Sequence, residues 1–337
     1  MYTYTRGDNP TIALLEEKIA KLEGASKAKA FASGMGAISS TIITLLEKGD
    51  HIIVVNTVYG SSVKLIQSLK KFGVTSSIIH VNKTQDIFSY VNDLTKMIYF
   101  ESPSSQKFEM LDLQQIADFC RPRGIYTVID NTWATPLFQN PLKHGIDVVI
   151  HSCSKFIGGH SDIVGGIVVS NPKIIKVIDD YGALYFGATM SPMNAWLVIR
   201  GLRTLPVRMK THQDTVIKVL DELSKDERIE KLYHPYLQQQ DLAKRYLDGY
   251  SSVFGMALKN ATPQIIETFV NHLQYFTLAY SWGGFESLIL PAFKGNNSDE
   301  LKARGLSLGH FRIYLGLEDV HLLLNDLKAA LDAAYHE

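Results

Sequence analysis

The strongest constraint on the fold is a repeated alternation of short apolar strand segments with helical segments in the first half of the chain. Strands are predicted at residues 28–31, 51–56, 75–80, 97–100, 126–129, 148–151 and 167–170. Alternation of this kind predicts an α/β domain whose mostly parallel sheet is covered by helices on both faces. Ligands in such sheets bind beyond the carboxyl ends of the strands. Tyr59, Glu101, Asp130 and Ser152 all follow predicted strands, so the sequence predicts a site at that edge.

Length and pattern predict more than one domain, since 337 residues correspond to about two. Residues 1–11 are polar and predict an N-terminal arm, residues 12–205 the large domain, and residues 206–337 a smaller α+β domain. Near the boundary, helices are predicted at 195–201 and 211–223, with Pro206 separating them.

Composition and charge exclude several classes of protein. Thirty-four basic residues balance thirty-four acidic ones, which gives no electrostatic argument for binding nucleic acid or an anionic membrane. The two cysteines, Cys120 and Cys153, do not form a CxxC pair, so a disulfide framework is not expected. Neither a signal peptide nor a long apolar run is present, and we expect a cytoplasmic protein.

A single lysine stands in a segment well suited to cofactor chemistry. Residues 151–162 read HSCSKFIGGHSD, which places Lys155 beside hydroxyl residues and before a Gly-Gly pair. Most lysines are solvated surface residues, and most aspartates after strands are turn or cap residues. Asp130, however, follows an apolar strand about 25 residues upstream. A lysine that forms a Schiff base and an aspartate that faces a pyridinium nitrogen are what pyridoxal 5'-phosphate (PLP) requires.

A candidate phosphate site supports the prediction of PLP. Residues 33–36 read SGMG and stand between a predicted strand and a predicted helix. The backbone N–H groups of Gly34 and Met35, with the hydroxyls of Ser152 and Ser154, would supply several donors to a phosphate. A G-x-G-x-x-G sequence is absent, so a dinucleotide site is not supported.

Two further residues have candidate roles. Tyr59, otherwise an ordinary half-buried aromatic residue, would stack on the cofactor and take part in proton transfer. Arg312, otherwise a surface arginine, stands among apolar residues of a predicted strand and would pair with the carboxylate of an amino-acid substrate. His144, His151 and His160 lack the spacing of metal ligands, so no metal is expected.

Together these motifs resemble those of the Cys/Met-metabolism family of PLP-dependent enzymes of fold type I. The motifs that carry the resemblance are Tyr4-Thr5-Arg6, Asn9-Pro10-Thr11, Ser33-Gly34-Met35, Tyr59-Gly60, Asp130-Asn131-Thr132, Ser152-x-Ser154-Lys155, Gly159-His160-Ser161-Asp162, Gly201-Leu202-Arg203-Thr204-Leu205, Gly283-Gly284-x-Glu286-Ser287, and Arg312 with Gly316-Leu317-Glu318. The resemblance covers essentially the whole chain. It implies an aspartate-aminotransferase-like (PLP-dependent transferase-like) large domain with a smaller C-terminal domain.

The resemblance also implies self-association. Members of the family form homotetramers built from two catalytic dimers, and Tyr4 and Arg6 would reach the PLP phosphate of the neighbouring subunit. The family has roughly 50 further residues before this motif, so we expect either a trimmed sequence or a reduced arm, with a homodimer as the alternative assembly.

Within the family, residues 278–284 resemble bacterial cystathionine β-lyases. Tyr280, Ser281 and Trp282 would bind substrate, and the two aromatic side chains would pack against the distal arm of a long thioether. Ser105 stands where γ-enzymes often have asparagine. The expected reaction is β-elimination of L-cystathionine to homocysteine, pyruvate and ammonia, in the transsulfuration steps of methionine biosynthesis.

Other features keep alternatives open. Residues 9–11 and 60–62 look less like the β-lyases, so a γ-enzyme remains an alternative: methionine γ-lyase, cystathionine γ-lyase or cystathionine γ-synthase. A racemase-type side activity is also open. The alternative of a different class is a non-catalytic regulatory or binding protein on the same fold, against which Lys155, Asp130, Tyr59 and Arg312 argue.

Overall fold

The first sheet confirms the predicted α/β architecture. The structure is a computed structural model that describes residues 4–55 and 57–335. Within these residues, seven strands lie in the order β1-β7-β6-β5-β4-β2-β3. Their bounds are β1 Lys27–Phe31, β2 His51–Val55, β3 Thr75–Ile79, β4 Thr95–Glu101, β5 Tyr126–Asp130, β6 Val148–Ser152 and β7 Gly166–Ser170. Neighbours from β3 to β6 are parallel, whereas β7 is antiparallel to both β1 and β6.

Helices follow most of these strands and begin at recognisable caps. The Asn9 side chain accepts a hydrogen bond from the backbone N–H of Thr11, and Pro10 occupies the first turn of α1. The helices of this part are α1 Pro10–Leu22, α2 Gly34–Leu45, α3 Gly60–Ser68, α4 Leu113–Cys120, α5 Thr135–Phe138 and α6 Pro172–Val177. Apolar side chains of α2, such as Ile38 and Ile42, pack against Val148 and Ile150 of β6 in the main core.

A second sheet forms in the C-terminal part. Its strands lie in the order β10-β11-β12-β9-β8. Their bounds are β8 Ile229–Tyr233, β9 Val253–Leu258, β10 Thr277–Leu278, β11 Leu288–Pro291 and β12 His310–Tyr314. The helices of this region are α7 Pro192–Leu223, α8 Gln240–Tyr246, α9 Pro263–His272, α10 Ser298–Ala303 and α11 Val320–Tyr335. Side chains of α9 and α11, such as Phe269 and Leu327, pack with β12 in a separate core.

The chain divides into two compact units that are not continuous segments. The first contains the described residues up to 105, together with 110–205 and 241–249. The second contains 106–109, 206–240 and the described residues from 250 onward. The predicted N-terminal arm at 1–11 and the domain bounds 12–205 and 206–337 stay predictions.

One expectation about the helices was wrong, because Pro206 does not separate two of them. Helix α7 runs without interruption from Pro192 to Leu223, and Pro206 lies inside it. A proline in a helix removes one backbone hydrogen bond and costs about 3 kcal/mol. Buried side chains on both sides of it, such as Val198 and Val216, bury enough apolar surface to keep the helix intact.

None of the helices in the described part of the chain is long and apolar enough to span a membrane.

Candidate active site

The loop that carries Lys155 follows β6 and is held by its own backbone. The N–H of Lys155 donates to the carbonyl of Ser152 at 3.2 Å, and the N–H of Gly159 donates to the carbonyl of Lys155 at 2.8 Å. Helix α7 packs directly on this loop: a Cβ on Gly201 would lie 2.4 Å from the carbonyl oxygen of Gly158. The position of Lys155 is therefore fixed in two ways. The turn holds the loop through backbone hydrogen bonds, and α7 packs closely against it because Gly201 has no side chain.

The predicted phosphate-binding residues Gly34, Met35 and Ser152 come together at the N-terminus of α2. Ser33 caps this helix by accepting a hydrogen bond from the N–H of Gly36 at 2.9 Å. A Cβ on Gly34 would lie 3.1 Å from the hydroxyl oxygen of Ser152. Backbone N–H groups in the first turn of a helix have no intrahelical acceptor and bind anions well. Residues Gly34 and Met35 therefore supply donors next to the Ser152 hydroxyl.

A second glycine makes this arrangement possible. A Cβ on Gly166 of β7 would lie 2.3 Å from the carbonyl oxygen of Ser33. Any side chain at that position would push the turn away from the sheet.

Ser154 has a different neighbour in this structure. Its hydroxyl oxygen accepts a hydrogen bond from the N–H of Gly165 at 3.0 Å, which ties the Lys155 loop to the segment before β7. Its predicted contact with the phosphate stays a prediction.

Asp130, the last residue of β5, lies in a half-buried polar setting. Its Oδ1 accepts hydrogen bonds from the backbone N–H and the hydroxyl of Thr132, at 3.0 and 2.5 Å. The Thr132 hydroxyl oxygen in turn accepts from the N–H of Ser152 at 2.8 Å. Burial raises the pKa of Asp130, while the Thr132 hydrogen bonds and the charges of His151 and Lys155 act in the opposite direction. A cation against this carboxylate would lower the cost of its burial.

Tyr59 and Ser105 both donate hydrogen bonds to the carboxyl group of Glu101. The backbone N–H of Tyr59 donates to Oε1 of Glu101 at 2.6 Å, and the hydroxyl of Ser105 donates to Oε2 at 2.6 Å. Tyr59 is 53% exposed, so it remains accessible to a ligand. Glu101 ends β4 directly beside Asp130 of β5.

The sequence assigned no role to Glu101, although a signal was present. It is the last residue of a strand in the parallel part of the sheet, which is the position where ligands of such sheets bind. Burial and the neighbouring Asp130 carboxylate raise the pKa of Glu101 to about 8.

In the second unit, Arg312 contacts the segment that carries the other predicted substrate residues, Tyr280, Ser281 and Trp282. Its Nη2 donates to the carbonyl oxygens of Tyr280 at 2.6 Å and Ser281 at 3.2 Å. Burial lowers the pKa of Arg312 to about 10, so a carboxylate bound to the guanidinium would offset the cost of its desolvation. Trp282 is half-buried and Tyr280 is exposed.

The loop after Trp282 is anchored by residues of two of the sequence motifs. The backbone N–H and the hydroxyl of Ser287 donate to the carboxylate of Glu318, at 2.7 and 2.8 Å. The hydroxyl oxygen of Ser287 accepts from the N–H of Gly316 at 2.9 Å, and the Tyr314 hydroxyl donates to the carbonyl of Gly284 at 2.5 Å. These bonds fix the segment that carries Tyr280–Trp282.

Comparison with known proteins decides the family. The sequence profile of the Cys/Met metabolism PLP-dependent enzymes matches residues 1–332. The chain belongs to this family. It is 36% identical to the cystathionine β-lyase of Lactococcus lactis subsp. cremoris strain MG1363 and 34% identical to the L-methionine γ-lyase of Fusobacterium nucleatum subsp. polymorphum. These matches cover 98% of this chain and 88% and 86% of the two relatives.

A solved structure gives the same result at the level of the fold. The crystal structure of cystathionine γ-lyase from Lactobacillus plantarum complexed with L-serine matches with a TM-score of 0.92 and 34% identity. The match covers 99% of this chain and 89% of that one. The chain is thus a PLP-dependent enzyme of a Cys/Met-metabolism family that includes lyases acting at both the β and the γ positions.

The residues present fit the cofactor of this PLP-dependent family. A Cβ on Gly34 would fill the space beside Ser152 that a phosphate oxygen needs. The half-buried carboxyl of Asp130, whose desolvation raises its pKa, suits a positively charged ring nitrogen. Lys155 is fixed in the same unit, where its charge lowers the pKa of Asp130.

Tyr4 and Arg6, predicted to serve a neighbouring subunit, lie side by side near the start of the described chain. The Arg6 guanidinium lies over the Tyr4 ring at 5.4 Å from its centre, and Nη1 donates to the carbonyl of Leu184 at 2.5 Å. Their role at another subunit's site stays a prediction. Within residues 4–55 and 57–335, no group of three or more His, Cys, Asp or Glu side chains is arranged to hold a metal ion.

Proposed function

We propose that the protein catalyses β-elimination of L-cystathionine, which with water gives homocysteine, pyruvate and ammonia. The family match and the resemblance of residues 278–284 to bacterial cystathionine β-lyases support this reaction. Two of its relatives, at 36% identity, are the cystathionine β-lyases of Lactococcus lactis strain MG1363 and Coxiella burnetii.

The observation that carries the proposal is the hydrogen bonding between Arg312 and the segment Tyr280–Trp282. The guanidinium that would pair with the substrate α-carboxylate donates to the backbone of Tyr280 and Ser281. A substrate whose α-carboxylate pairs with Arg312 would therefore lie next to the segment that carries Tyr280 and Trp282. The sulfur and the two methylene groups that begin the distal arm of L-cystathionine are apolar, and such side chains can pack against them.

The residues of the first unit would hold the cofactor and move protons. PLP, when bound, supplies the electron sink that makes the α-proton removable. Gly34, Met35, Ser152 and Ser154 would bind its phosphate, and Asp130 would keep its ring nitrogen protonated.

Proton transfer would fall to two side chains. Lys155 would remove the proton from the substrate Cα, and Lys155 or Tyr59 would deliver a proton to the leaving sulfur, so that homocysteine departs as the thiol. Tyr59, which is exposed in this structure, would also stack on the cofactor ring.

The test is identification of the products from L-cystathionine with PLP-loaded protein. We expect pyruvate and homocysteine in equal amounts, and neither product from Lys155→Ala. Formation of 2-oxobutyrate and cysteine would instead place the enzyme with the γ-lyases, of which one relative at 34% identity is an L-methionine γ-lyase.

We further propose that the enzyme works as a homodimer or a homotetramer in which Tyr4 and Arg6 contact the cofactor phosphate of a neighbouring subunit. Mixing the inactive variants Lys155→Ala and Arg6→Ala tests this, because exchange of subunits would create one site with both residues intact. Recovery of activity on mixing is expected; mixtures that exchange subunits but stay inactive would exclude it.

A further inference from the structure

The carboxyl group of Glu101 joins three parts of the proposed site. It is 9% exposed, and its two oxygens accept hydrogen bonds from the backbone of Tyr59 and the hydroxyl of Ser105, each at 2.6 Å. In the sheet it is the register partner of Asp130, so the two side chains point to the same face. One acidic side chain therefore connects the stacking tyrosine, the candidate substrate serine and the carboxyl opposite the ring nitrogen.

Two carboxyl groups side by side, one buried and one half-buried, do not both ionise easily, since each negative charge disfavours the other. Hydrogen bonds do not separate the two groups, because Asp130 accepts two from Thr132 and Glu101 accepts two from Tyr59 and Ser105. The nearby charges of Lys155 and His151 favour the charged form of Asp130. Burial and the Asp130 charge raise the pKa of Glu101 to about 8. Near neutral pH, the proton therefore belongs to Glu101 and the charge to Asp130.

We propose that Glu101 is a positioning residue that holds one proton, leaves Asp130 as the charged member of the pair, and orients the Ser105 hydroxyl toward a bound ligand. This inference rests on the proposed function only for the roles it gives to Asp130 and Ser105.

The proton on Glu101 decides what the Ser105 hydroxyl can do. When Glu101 is charged, the Ser105 hydroxyl donates to Oε2, as in this structure. When Oε2 carries the proton taken up from solvent, it donates to the Ser105 oxygen instead. The hydrogen of Ser105 is then free to donate to a substrate or cofactor atom.

Other titratable groups also face the Glu101–Asp130 pair, but none of them replaces Glu101 as the group that gains or loses the proton. Tyr99, on the same strand, donates its hydroxyl to Ser62, and burial raises its pKa well above the ordinary value. It remains protonated throughout the neutral range. Lys155 and His151 act on Asp130 as charges, and Tyr59 contacts Glu101 through its backbone N–H.

Infrared difference spectroscopy of the PLP-loaded protein tests the proposal directly, because a protonated carboxyl has its own C=O stretch. Between about pH 6 and about pH 10, we expect wild type to lose one such band as the Glu101 carboxyl ionises, with a midpoint above that of an ordinary glutamate. Glu101→Gln should lack this band, whereas Glu267→Gln, which removes an exposed glutamate, should retain it.

Two neighbouring variants give shifts of opposite sign. Asp130→Asn removes the repelling charge and should lower the midpoint by about one pH unit or more. Ser105→Ala removes a hydrogen bond to the charged form and should raise the midpoint. These shifts keep the test decisive even if Glu101→Gln folds poorly.

A titrating band that survives in Glu101→Gln, or a midpoint that does not move in Asp130→Asn, would overturn the inference. The result is independent of which products cystathionine gives: a γ-lyase with the predicted infrared titration would contradict the proposed function alone. A β-lyase without the titration would contradict this inference alone.

Discussion

At the scale of single residues, the chemistry of each proposed site residue depends on fixed neighbours. Lys155 is set by a backbone turn, and Asp130 by Thr132. Arg312 is set by the carbonyl oxygens of Tyr280 and Ser281. Because each residue has a separate support, each can be tested by a separate substitution.

Lys155→Ala should remove all measurable turnover, since no other side chain is proposed to take the α-proton. The variant should also lose the covalent attachment of PLP. Mass spectrometry after borohydride reduction checks this: wild type should gain the mass of the reduced cofactor, and the variant should not. Lys173→Ala, at an exposed lysine, is the matched control. Near-normal activity of Lys155→Ala would contradict the proposed chemistry.

Arg312→Lys should weaken substrate binding while it retains the positive charge. A guanidinium can pair with a carboxylate through two hydrogen bonds, whereas an ammonium group acts as a point charge. Loss of one charge-assisted hydrogen bond costs about 1.5–3 kcal/mol, so we expect KM to rise about 10- to 100-fold, with a smaller effect on kcat. Steady-state kinetics with L-cystathionine gives both values. An unchanged KM would show that Arg312 does not bind the α-carboxylate.

At the scale of elements, the positions of the Lys155 loop and of the proposed phosphate-binding turn depend on close approaches between backbones. Gly201 allows α7 to lie against the Lys155 loop, and Gly166 allows β7 to lie against the turn before α2. Both contacts join segments that are far apart in sequence. The glycines are therefore part of the support of the site, although neither has a side chain.

Gly201→Ala tests the contact between α7 and the Lys155 loop. Alanine would favour the helix by about 1 kcal/mol, but its Cβ would lie 2.4 Å from the carbonyl oxygen of Gly158 and 2.5 Å from that of Ile157. Overpacking of this kind costs about 1–3 kcal/mol. We therefore expect the loop to shift and the PLP content of purified protein to fall.

The matched control is Lys218→Ala, an exposed position on the same helix. It places alanine on the same helix with little change in helix propensity, because lysine is nearly as good a helix former as alanine, and it lacks the close contact. If both variants retain full PLP content, the approach of α7 does not hold the loop in place.

Local motifs explain why part of the site could be predicted from the sequence. Lys155, Asp130 and Gly34 each stand in a short segment whose residue types already indicate the chemistry. Glu101 was not assigned a role, because its partner Tyr59 lies 42 residues away and only the sheet brings them together. Pro206 was misread because burial of neighbouring helix side chains, which no local pattern shows, outweighs one missing hydrogen bond.

At the scale of the whole molecule, the two units have separate cores. The second unit buries three histidines, His212, His234 and His310. Burial lowers the pKa of His212 to about 3, and those of His234 and His310 to about 4. An unfolded chain would bind protons at these histidines near pH 6.5. The second unit should therefore lose stability as the pH falls below that value.

Among the three, His234 has the best-defined protonation state, because its two hydrogen bonds require a neutral ring. Its Nε2 donates to the carbonyl of Ser251 at 3.1 Å, and its Nδ1 accepts from the N–H of Tyr236 at 3.1 Å. A second proton would occupy Nδ1 and break the latter bond. Since the folded pKa is below the unfolded one, the unfolded state binds more protons between about pH 6.5 and about 4. Stability contributed by this residue is therefore present above pH 6.5 and is lost on acidification at about 1.4 kcal/mol per pH unit.

Hydrogen exchange of the PLP-loaded protein, read at β9 of the second sheet, measures this loss. After correction for the intrinsic pH dependence of exchange, wild-type protection should fall steadily between about pH 6.5 and about 4.5. In His234→Gln, the slope of stability against pH should be shallower by the equivalent of about one bound proton, because the amide does not titrate. This difference does not depend on the absolute stability of the variant. His321→Gln, at an exposed histidine, should keep the wild-type slope. Equal slopes in all three proteins would mean that His234 stays equally protonated in the folded and unfolded states, against the effect expected of its burial.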